Sequence, residues 1–317
     1  MENKLISDIK NGDIIDQVFL VQKNEVRTTK TGSLYITAQL SDRTGQLEAR
    51  LWNANDIHVA TFNNNDILNV KGRVDTYQKN LQLIIESLST VDESILNLQS
   101  LLPCTEKDTN KLIDELKEIL LSVKNKHILK LFKLFFEDEK FCKDLCMSPA
   151  AVQYHHAYLG GLLEHIISVL KLATSVLPNY PIINKDLLFA GIFFHDLGKI
   201  KEFSYSKGFK YTDEGMLVGH LITGINMVKE KAVQIKEFPE DLLNILQHLI
   251  LSHHGAYEWG SPKLPMTIES IALHYLDNFD AKIYAFDKAI KDDKNIGNWT
   301  EYNRMFERRL FKGNSKE

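Results

Sequence analysis

The sequence predicts a multidomain α+β protein in which a five-stranded β-barrel precedes an all-α helical domain. Two patterns predict this division. From about residue 12 to 90 apolar and polar residues alternate in short runs, whereas from about residue 95 apolar residues recur at spacings of three and four. The chain has 317 residues, 44% of them apolar, which suffices for two domains of roughly 150 residues. We expect the barrel over 1–94, a helical connector over 95–148 and the helical domain over 149–317.

Five strands are predicted in the first part, over 16–26, 33–40, 46–52, 67–74 and 80–87. Polar turn sequences such as "SDRTG" (41–45) separate them, and "NANDIHVATF" (53–62) predicts a small helix between the third and fourth strands. Five short antiparallel strands with one small helix are typical of an OB-type barrel. An SH3-like barrel is the main alternative.

Alternation along these strands separates an inner face from an outer one. The inner face is apolar, and its predicted members are Leu34, Ile36, Ala38, Leu40, Leu47, Ala49, Leu51, Leu68, Val70 and Gly72. The outer face mixes cations with aromatic rings, and its predicted members are Tyr35, Thr37, Arg50, Trp52, Lys71 and Arg73. Such a face suits phosphates and stacked bases, so we expect it to bind single-stranded nucleic acid. The alternatives are ordinary solvated strand residues, with Trp52 closing the barrel against the helix, or a barrel that binds a protein or a sugar.

Composition narrows the choice of partner and compartment. The formal net charge of -4 and the pI near 6.3 provide no global basic field, so a nucleic acid would have to be held by a local patch. The three cysteines form no C-x-x-C pair, which fits a reducing compartment. Apolar runs such as "LLFAGIFF" (187–194) are shorter than the roughly 20 residues that a bilayer requires, and "MENKLISDIK" lacks the apolar core of a signal peptide. We expect a cytoplasmic protein without membrane contact.

The second part has helical periodicity throughout. It is clearest in "TNKLIDELKEILLSV" (109–123) and "HILKLFKLFFED" (127–138), while "SYSKGFKYTDEG" (204–215) predicts a short excursion or hairpin. The C-terminal "YNRMFERRLFKGNSKE" (302–317) predicts a basic amphipathic helix followed by a polar tail. That helix is either a contact for phosphate or for another subunit, or an ordinary solvated terminal helix.

Histidines and aspartates concentrate in the helical part. Nine of the eleven histidines lie between residues 155 and 274, and imidazole with carboxylate is a preferred ligand set for Zn, Mn and Fe. His165, the pair His195–Asp196 and Asp277 lie in three separate apolar helical segments. Burying several ionisable groups is costly unless they are paired or share a metal. These four residues are therefore predicted to form a metal site, although a single histidine is more often an ordinary core or surface residue.

The order of a histidine, a His-Asp pair and a later aspartate resembles the HD superfamily of metal-dependent phosphohydrolases. With "HHAYLGGLLEH" (155–165), "GIFFHDLGKI" (191–200) and the N-terminal barrel, the chain resembles in particular the YhaM family of 3'-to-5' exoribonucleases. The resemblance covers nearly the whole chain. It implies an HD-type helical domain in which one metal ion is held by His165, His195, Asp196 and Asp277.

The same resemblance implies a second metal ion, bridged to the first by Asp196. Its other ligands would be a histidine from a following helix and a later histidine, and His220 and His253 match those places. Adjacent residues of a regular helix point about 100° apart. We therefore expect the neighbouring His254 to contact a third ion or the substrate instead.

Two further roles concern the reaction itself. Lys199 follows the His-Asp pair by about one helical turn and is expected to place a positive charge where a phosphate oxygen would lie. The alternative is a solvated lysine near a helix C-terminus. A dedicated general acid is not evident from the sequence, and His156 and His254 are the candidates.

These patterns and the resemblance together predict a metal-dependent 3'-to-5' exoribonuclease that hydrolyses single-stranded RNA, with single-stranded DNA as a further substrate, to nucleoside monophosphates. The resemblance suggests manganese, two ions per site and self-assembly into a homo-oligomer, while iron, cobalt or zinc would also suit the ligands. Three alternatives stay open: a phosphohydrolase of small or cyclic nucleotides, a di-iron oxygen enzyme and a non-catalytic single-strand-binding protein.

Overall fold

The computed structural model describes residues 4–64, 66–78, 80–91, 98–152, 156–205 and 208–313. They form two compact units, one of Met1–Cys104 with Ser204–Lys210 and the other of Thr105–Phe203 with Tyr211–Glu317. The predicted three-part division of the chain places its boundaries elsewhere and stays a prediction.

The first unit is built around a closed five-stranded barrel. Its strands are β1 (Ile14–Thr28), β2 (Leu34–Asp42), β3 (Gly45–Leu51), β4 (Ile67–Tyr77) and β5 (Asn80–Thr90), with α1 (Asp56–Thr61) between β3 and β4. The order around the barrel is β1-β2-β3-β5-β4, and the β3–β5 pair is parallel whereas the other pairs are antiparallel. This arrangement confirms the predicted OB-type barrel. A 3-10 turn (Ile6–Asp8) and α2 (Leu98–Leu101) flank it.

The inner face of the barrel follows the predicted alternation. Ile36, Leu40 and Leu68 are at most 1% exposed, and the other predicted inward residues are buried apart from Leu34, which is half-buried at the start of β2. Gly72 lies at a bulge of β4 where a Cβ would come within 2.1 Å of the Ile84 carbonyl oxygen. Only glycine permits this close approach of the two strands.

The second unit is helical. Its helices are α3 (Thr109–Leu120), α4 (Lys126–Phe136), α5 (Glu139–Met147), α6 (Gly161–Val176), α7 (Lys185–Phe194), α8 (Lys199–Glu202), α9 (Asp213–Leu217), α10 (Gly219–Ala232), α11 (Glu240–Ser252) and α12 (Ile268–Lys291). Side-chain oxygens of Asp108, Asn125, Asp138 and Asn184 cap α3, α4, α5 and α7. Side chains from α3 to α7 and from α10 to α12 share one apolar core.

The centre of this core is aromatic. Phe132 and Phe135 of α4 contact Phe193 and Phe194 of α7 with ring centroids 5.5–5.8 Å apart. All four rings are at most 1% exposed. The packing fixes the C-terminal end of α7, the point where the His-Asp pair begins.

One helical stretch, Gly161–Asn179, is long and apolar enough by length and composition to cross a membrane, and half of it is buried inside the protein. The apolar runs of the sequence predict no segment of that size. The stretch comprises α6 and the 3-10 turn after it (Leu177–Asn179). Its apolar side chains pack into the helical core, which is the position of a core helix.

Two local predictions have different outcomes. The short hairpin expected over 204–215 is confirmed by β6 (Phe203–Ser204) and β7 (Lys210–Tyr211), which form a two-stranded sheet. The prediction of a C-terminal helix is wrong for the described residues 302–313. Asn303 forms a β-bridge with Arg308, and Phe311 forms one with Trp299. Residues 314–317 lie outside the described part.

Tertiary contacts explain the loss of that C-terminal helix. Phe306 packs on Phe286 of α12 with ring centroids 5.1 Å apart, and Lys312 forms a largely buried ion pair of 2.8 Å with Asp293. Both contacts require the chain to turn back on itself rather than continue as a helix. The arginines at 304, 308 and 309 are exposed.

Candidate metal centre and barrel face

The predicted ligands come together at helix ends and on two long helices. His165 lies in the second turn of α6 and Asp277 near the middle of α12. The His195–Asp196 pair does not lie within a regular helix, because α7 ends at Phe194 and the pair forms the tight turn that leads into α8. Aromatic packing behind α7 holds that turn, so the pair projects into the cluster from a fixed point.

The first group of ligand atoms joins His165, His195, Asp196 and Asp277. His165 Nε2 lies 3.1 Å from Asp277 Oδ1 and 3.4 Å from His195 Nε2. His195 Nε2 lies 3.3 Å from Asp196 Oδ2. His165, His195 and Asp277 together could hold one metal ion.

The second group lies on the other oxygen of Asp196. Its Oδ1 is 3.7 Å from both His220 Nε2 and His253 Nε2. His220, His253 and His254 each offer a ring nitrogen within 4.8 Å of the others. Asp196 therefore faces both groups, as a bridging carboxylate would.

The structure also brings His254 beside this second group, so the expected divergence of the adjacent histidines does not occur, and a contact of His254 with a third ion or with the substrate stays a prediction. The expectation assumed a regular helix, but α11 ends at Ser252 and His253 is its C-cap. The rings of His253 and His254 are 4.2 Å apart at their centroids. Once the helix has ended, adjacent side chains are free to converge.

Hydrogen bonds on the far side of four imidazoles, those of His165, His195, His220 and His253, fix the ring nitrogen that faces the cluster. Nδ1–H of His195 and of His253 donates to the backbone carbonyls of Ile192 and Ile250, each at 2.8 Å. This selects the tautomer whose Nε2 lone pair points into the site.

Two carboxylates that were not among the predicted site residues, Asp280 and Glu202, do the same for His165 and His220. Asp280 Oδ2 lies 3.0 Å from His165 Nδ1, and Glu202 Oε1 lies 3.1 Å from His220 Nδ1. Asp280 also accepts a hydrogen bond from Ser168. Their spacing in the sequence could have indicated them, since Asp280 follows Asp277 by three residues and Glu202 follows Lys199 by three, which puts each pair on one side of a helix.

Three buried atoms indicate that the cluster fits a cation. Among the described residues, Asp196 Oδ1, His220 Nε2 and His254 Nδ1 have no hydrogen-bond partner. A buried polar atom without a partner costs free energy. Of these atoms, Asp196 Oδ1 and His220 Nε2 lie 3.7 Å apart, and nitrogen and oxygen atoms in such a pair are suitable ligands for a divalent metal.

The protonation states of Asp196 and His253 agree with that fit, and the protonation state of His165 does not. Burial by itself raises the pKa of Asp196, but the interactions with the Lys199 ammonium group and with the His195 ring outweigh it and hold the pKa well below its ordinary value. Burial lowers the pKa of His253 well below the ordinary value, so this ring is neutral. Burial also lowers the pKa of His165, but hydrogen bonds to Asp277 and Asp280 outweigh it and raise the pKa to about 9. His165 must therefore lose a proton before it can bind a cation.

Lys199 is a buried member of the site rather than a solvated lysine. Its Nζ lies 2.6 Å from Asp196 Oδ2, and its side chain is 12% exposed. It lines a cavity of about 190 Å³ with Asp196, His253, His254 and Asp277. Its ammonium group therefore lies where ligands and cavity meet.

His156 is not brought into this cavity. It lies behind His165, with its Nε2 3.7 Å from Asp280 and its Nδ1 2.7 Å from the Tyr158 hydroxyl. Its ring stacks on Tyr284 at 4.1 Å. His156 therefore lies next to Asp280 and does not line the cavity. His155, the first residue of the quoted motif, lies outside the described part.

The outer face of the barrel carries a cluster of aromatic rings around one arginine. Tyr35 and Trp52 stack with centroids 5.0 Å apart, and the Arg50 guanidinium lies 5.6 Å from the Trp52 ring. Tyr77, which the sequence analysis missed, lies 5.0 Å from the same guanidinium. Trp52 is 42% exposed, so it stands on the outer surface rather than closing the barrel.

The other predicted cations of this face differ in their surroundings. Arg50 and Arg73 flank Ile84 on β5 from opposite sides. Lys71 forms an ion pair of 2.7 Å with Asp16. A neighbouring cleft contains Glu25 and Glu48 beside Arg50, so this face is mixed in charge rather than uniformly basic.

Each of the two units matches a known protein family. The HD domain family matches residues 162–282, and a family described as an OB-fold nucleic acid binding domain matches residues 23–91. A relative from Bacillus subtilis (strain 168), named 3'-5' exoribonuclease YhaM, is 36% identical over 301 residues, which cover 95% of each chain. The chain belongs to the YhaM family.

Other YhaM relatives align over similar lengths. The protein of that name from Shouchella clausii is 36% identical over 88% of this chain and 87% of its own. The one from Listeria monocytogenes serotype 4b is 31% identical over 97% of this chain and its full length. All the residues of the two ligand groups fall inside the stretch that matches the HD domain.

Proposed function

We propose that this YhaM-family chain is a metal-dependent 3'-to-5' exoribonuclease that hydrolyses single-stranded RNA, and single-stranded DNA as a further substrate, to nucleoside monophosphates. The observation that carries the proposal is Asp196, a buried carboxylate that faces two groups of histidines and has one oxygen without a hydrogen-bond partner. The name of the relatives supplies the substrate class and the polarity of degradation.

The proposed ligands are His165, His195, Asp196 and Asp277 for one divalent cation, and Asp196, His220, His253 and His254 for a second. Manganese is the proposed native ion. When bound, such cations activate water for attack on phosphorus and stabilise charge on the phosphate oxygens.

The chain's own groups orient the substrate at this centre. Lys199 offers an ammonium group to a non-bridging phosphate oxygen, and the Asp196 carboxylate keeps it charged and in place. Asp280 and Glu202 hold His165 and His220 in the orientation that directs Nε2 inward. His254 is one of the proposed ligands of the second cation, and it also lines the cavity in which the substrate would lie. His156, next to Asp280, is proposed to position His165 rather than to act as the general acid.

The barrel is proposed to bind the polymer. Arg50 between aromatic rings can contact a phosphate while Tyr35, Trp52 and Tyr77 stack on bases. Stacking does not depend on base identity, which suits an enzyme that degrades RNA of any sequence. The proposed location is the cytoplasm, where RNA substrates are abundant.

Self-association is proposed through α12. Every exposed residue of α12 between 268 and 281 is apolar, namely Ile268, Ile271, Tyr275 and Phe279. Their spacing of three and four gives one stripe, roughly 16 Å long at 1.5 Å per residue. A surface helix face without charge indicates that a partner covers it. A straight stripe is complementary to itself about a two-fold axis, so the partner is a second copy.

Light scattering tests this surface. The wild-type mass is expected to exceed the 36.4 kDa of one chain, and replacing Tyr275 and Phe279 by glutamate should return it to that value. Lys288→Glu, an exposed change on the same helix outside the stripe, should leave the mass unchanged. A wild-type monomer at all concentrations would contradict the proposal.

A time course on 5'-labelled single-stranded RNA tests the activity. With manganese the wild type should give a ladder that shortens from the 3' end, while EDTA and Asp196→Ala should abolish it. A folded Asp196→Ala variant with full activity would rule out the assigned site. An RNA that is bound but stays intact would favour a single-strand-binding protein.

A further inference from the structure

The cavity above the candidate metal centre has an aromatic wall that the ligand assignment leaves unexplained. Besides the ligands and Lys199, it is lined by Trp259, His274, Asn278 and Ala281. Trp259 is 58% exposed. A large indole ring with one uncovered face at the edge of a polar cavity is a surface on which a planar group can stack.

The indole is held in place by the segment that follows the paired histidines. Trp259 ends a 3-10 turn (Tyr257–Trp259), and Gly260 closes it with a left-handed φ of +82°. Ser261 is 3% exposed, and its hydroxyl donates to the carbonyl of Leu251 at the end of α11. The turn is thus tied to the helix whose C-terminal end presents His253 and His254.

His274 supports the covered face of the indole. The two rings lie 5.8 Å apart at an interplanar angle of 32°. His274 Nδ1–H donates to the His253 carbonyl oxygen at 2.8 Å, and the side chain is 8% exposed. Gly255 makes this approach feasible, since a Cβ there would lie 2.3 Å from the His274 ring. Trp259 is therefore positioned relative to the ligand cluster rather than free to move away from it.

We infer that Trp259 is a specificity-determining residue that stacks on the base of the 3'-terminal nucleotide while the adjoining phosphate lies over the ligand cluster. The inference rests on the proposed exoribonuclease function. In an enzyme that removes the last nucleotide, the leaving nucleoside monophosphate must occupy the cavity beside the scissile phosphate. The cavity offers a cationic and ligand-lined side for that phosphate and an indole face for the base, and stacking accepts all four bases.

The test compares two 5'-labelled RNAs that differ only at the 3'-terminal nucleotide, which is either normal or abasic. In the wild type with manganese, kcat/KM is expected to favour the normal terminus by roughly tenfold or more, the scale of stacking on an aromatic ring. Trp259→Ala should reduce this ratio to near one, and Trp259→Phe should retain most of it. Trp52→Ala, which removes an indole from the barrel, should lower affinity for both RNAs and leave the ratio unchanged.

The possible outcomes distinguish a failure of base stacking on Trp259 from a failure of the proposed exoribonuclease activity. A ratio that is the same in Trp259→Ala and the wild type, or a wild type that does not distinguish the two RNAs, would overturn the role of Trp259. If the wild type cleaves neither RNA, the proposed function has failed. In that case the equilibrium affinities for the same two RNAs still test Trp259. If it stacks on the base, the wild type should bind the normal terminus more tightly than the abasic one, and Trp259→Ala should lose this preference.

Discussion

Lys199 Nζ lies 2.6 Å from Asp196 Oδ2, and both side chains are almost fully buried. Oδ2 of Asp196 thus accepts a hydrogen bond from the ammonium group, whereas Oδ1 has no hydrogen-bond partner. A buried cation next to proposed metal ligands weakens rather than assists metal binding, because like charges repel. Its position is therefore explained better by the substrate's phosphate than by the metals.

Lys199→Met should separate these two roles. Removing a fixed donor to a developing negative charge is expected to lower kcat by about 100-fold or more, while the affinity for Mn²⁺ stays the same or rises. Titration of the metal by calorimetry, beside steady-state kinetics, checks both. Lys201→Met, an exposed change two residues later on α8, should affect neither. A parallel loss of metal affinity in Lys199→Met would show that the lysine acts by holding Asp196.

Asp280→Asn tests the orientation of His165. The amide can still contact Nδ1, but it no longer provides a negative charge beside the ring, and it can present a donor where His165 needs an acceptor. Changes of this kind typically cost about 10- to 100-fold in metal affinity. Asp287→Asn is the matched control, since Asp287 lies on the same helix in an exposed ion pair with Lys291. Equal Mn²⁺ affinities for the two variants would refute the positioning role.

Gly255→Ala should destabilise the loop that carries the paired histidines. Gly255 has a φ of +80°, and an added Cβ would lie 2.3 Å from the His274 ring. Gly297 has a φ of +115° but open space around the corresponding position. Backbone strain alone costs about 1–3 kcal/mol, and Gly255→Ala adds a clash to it. In urea unfolding, Gly255→Ala should lose more stability than the control Gly297→Ala, and it should also have lower activity. Equal losses of stability in the two variants would contradict the close packing of His274.

Some features were predictable from the sequence because they depend on local patterns. Alternation in β2 to β4 gave the strands and the buried face, since a period of two is visible without knowing the partner strands. The grouping of His165, His195–Asp196 and Asp277 is predicted by their apolar helical surroundings and implied again by the family resemblance, and the structure places these side chains within a few ångströms of each other.

Other features depend on contacts between residues far apart in sequence. Asp280 and Glu202 look like ordinary helix-surface acids until α12 and α8 pack beside His165 and His220. The C-terminal segment has helical periodicity, but the buried Lys312–Asp293 pair overrides it. The end of α11 at Ser252 is another such feature, because the sequence around His253 and His254 does not mark it and regular helix geometry no longer applies to these two residues.

The outer face of the barrel can be tested through its charges. Replacing Arg50, Lys71 and Arg73 together by alanine should weaken RNA binding and reduce the slope of log affinity against log salt by about 2, since each lost phosphate contact on a single strand contributes about 0.7. Filter binding at several salt concentrations measures this. A control that removes three exposed lysines of α4, at 126, 130 and 133, should leave the slope unchanged.

The single substitutions should not be equal. Arg50 lies between aromatic rings, whereas Lys71 is already paired with Asp16. We expect Arg50→Ala to weaken RNA binding more than Lys71→Ala, because Lys71 must release Asp16 before it contacts a phosphate. The reverse order would indicate that the RNA crosses the barrel near β1 instead.

The pH dependence of stability should contain a contribution from Asp138, which caps α5 and bonds Lys231 of α10. Its Oδ2 accepts from Lys231 Nζ at 2.8 Å and its Oδ1 accepts from the Phe141 N–H at 3.0 Å. These two hydrogen bonds hold the pKa of Asp138 below its ordinary value, with the Lys231 bond the larger cause. A depressed native pKa stabilises the fold above the unfolded pKa of about 3.9. The contribution is lost as the pH falls through the native value.

Asp138→Asn keeps the size of the side chain and removes its charge. At pH 7 the variant should be less stable than the wild type by roughly 0.5 kcal/mol, the scale of a solvent-screened ion pair. The difference should shrink toward zero once the pH falls below the lowered native pKa of Asp138, where the wild-type carboxyl is also protonated. Urea unfolding across this range measures it, and Lys231→Met should give a similar loss at pH 7. A difference that persists unchanged at low pH would mean that Asp138 stabilises α5 through shape rather than charge.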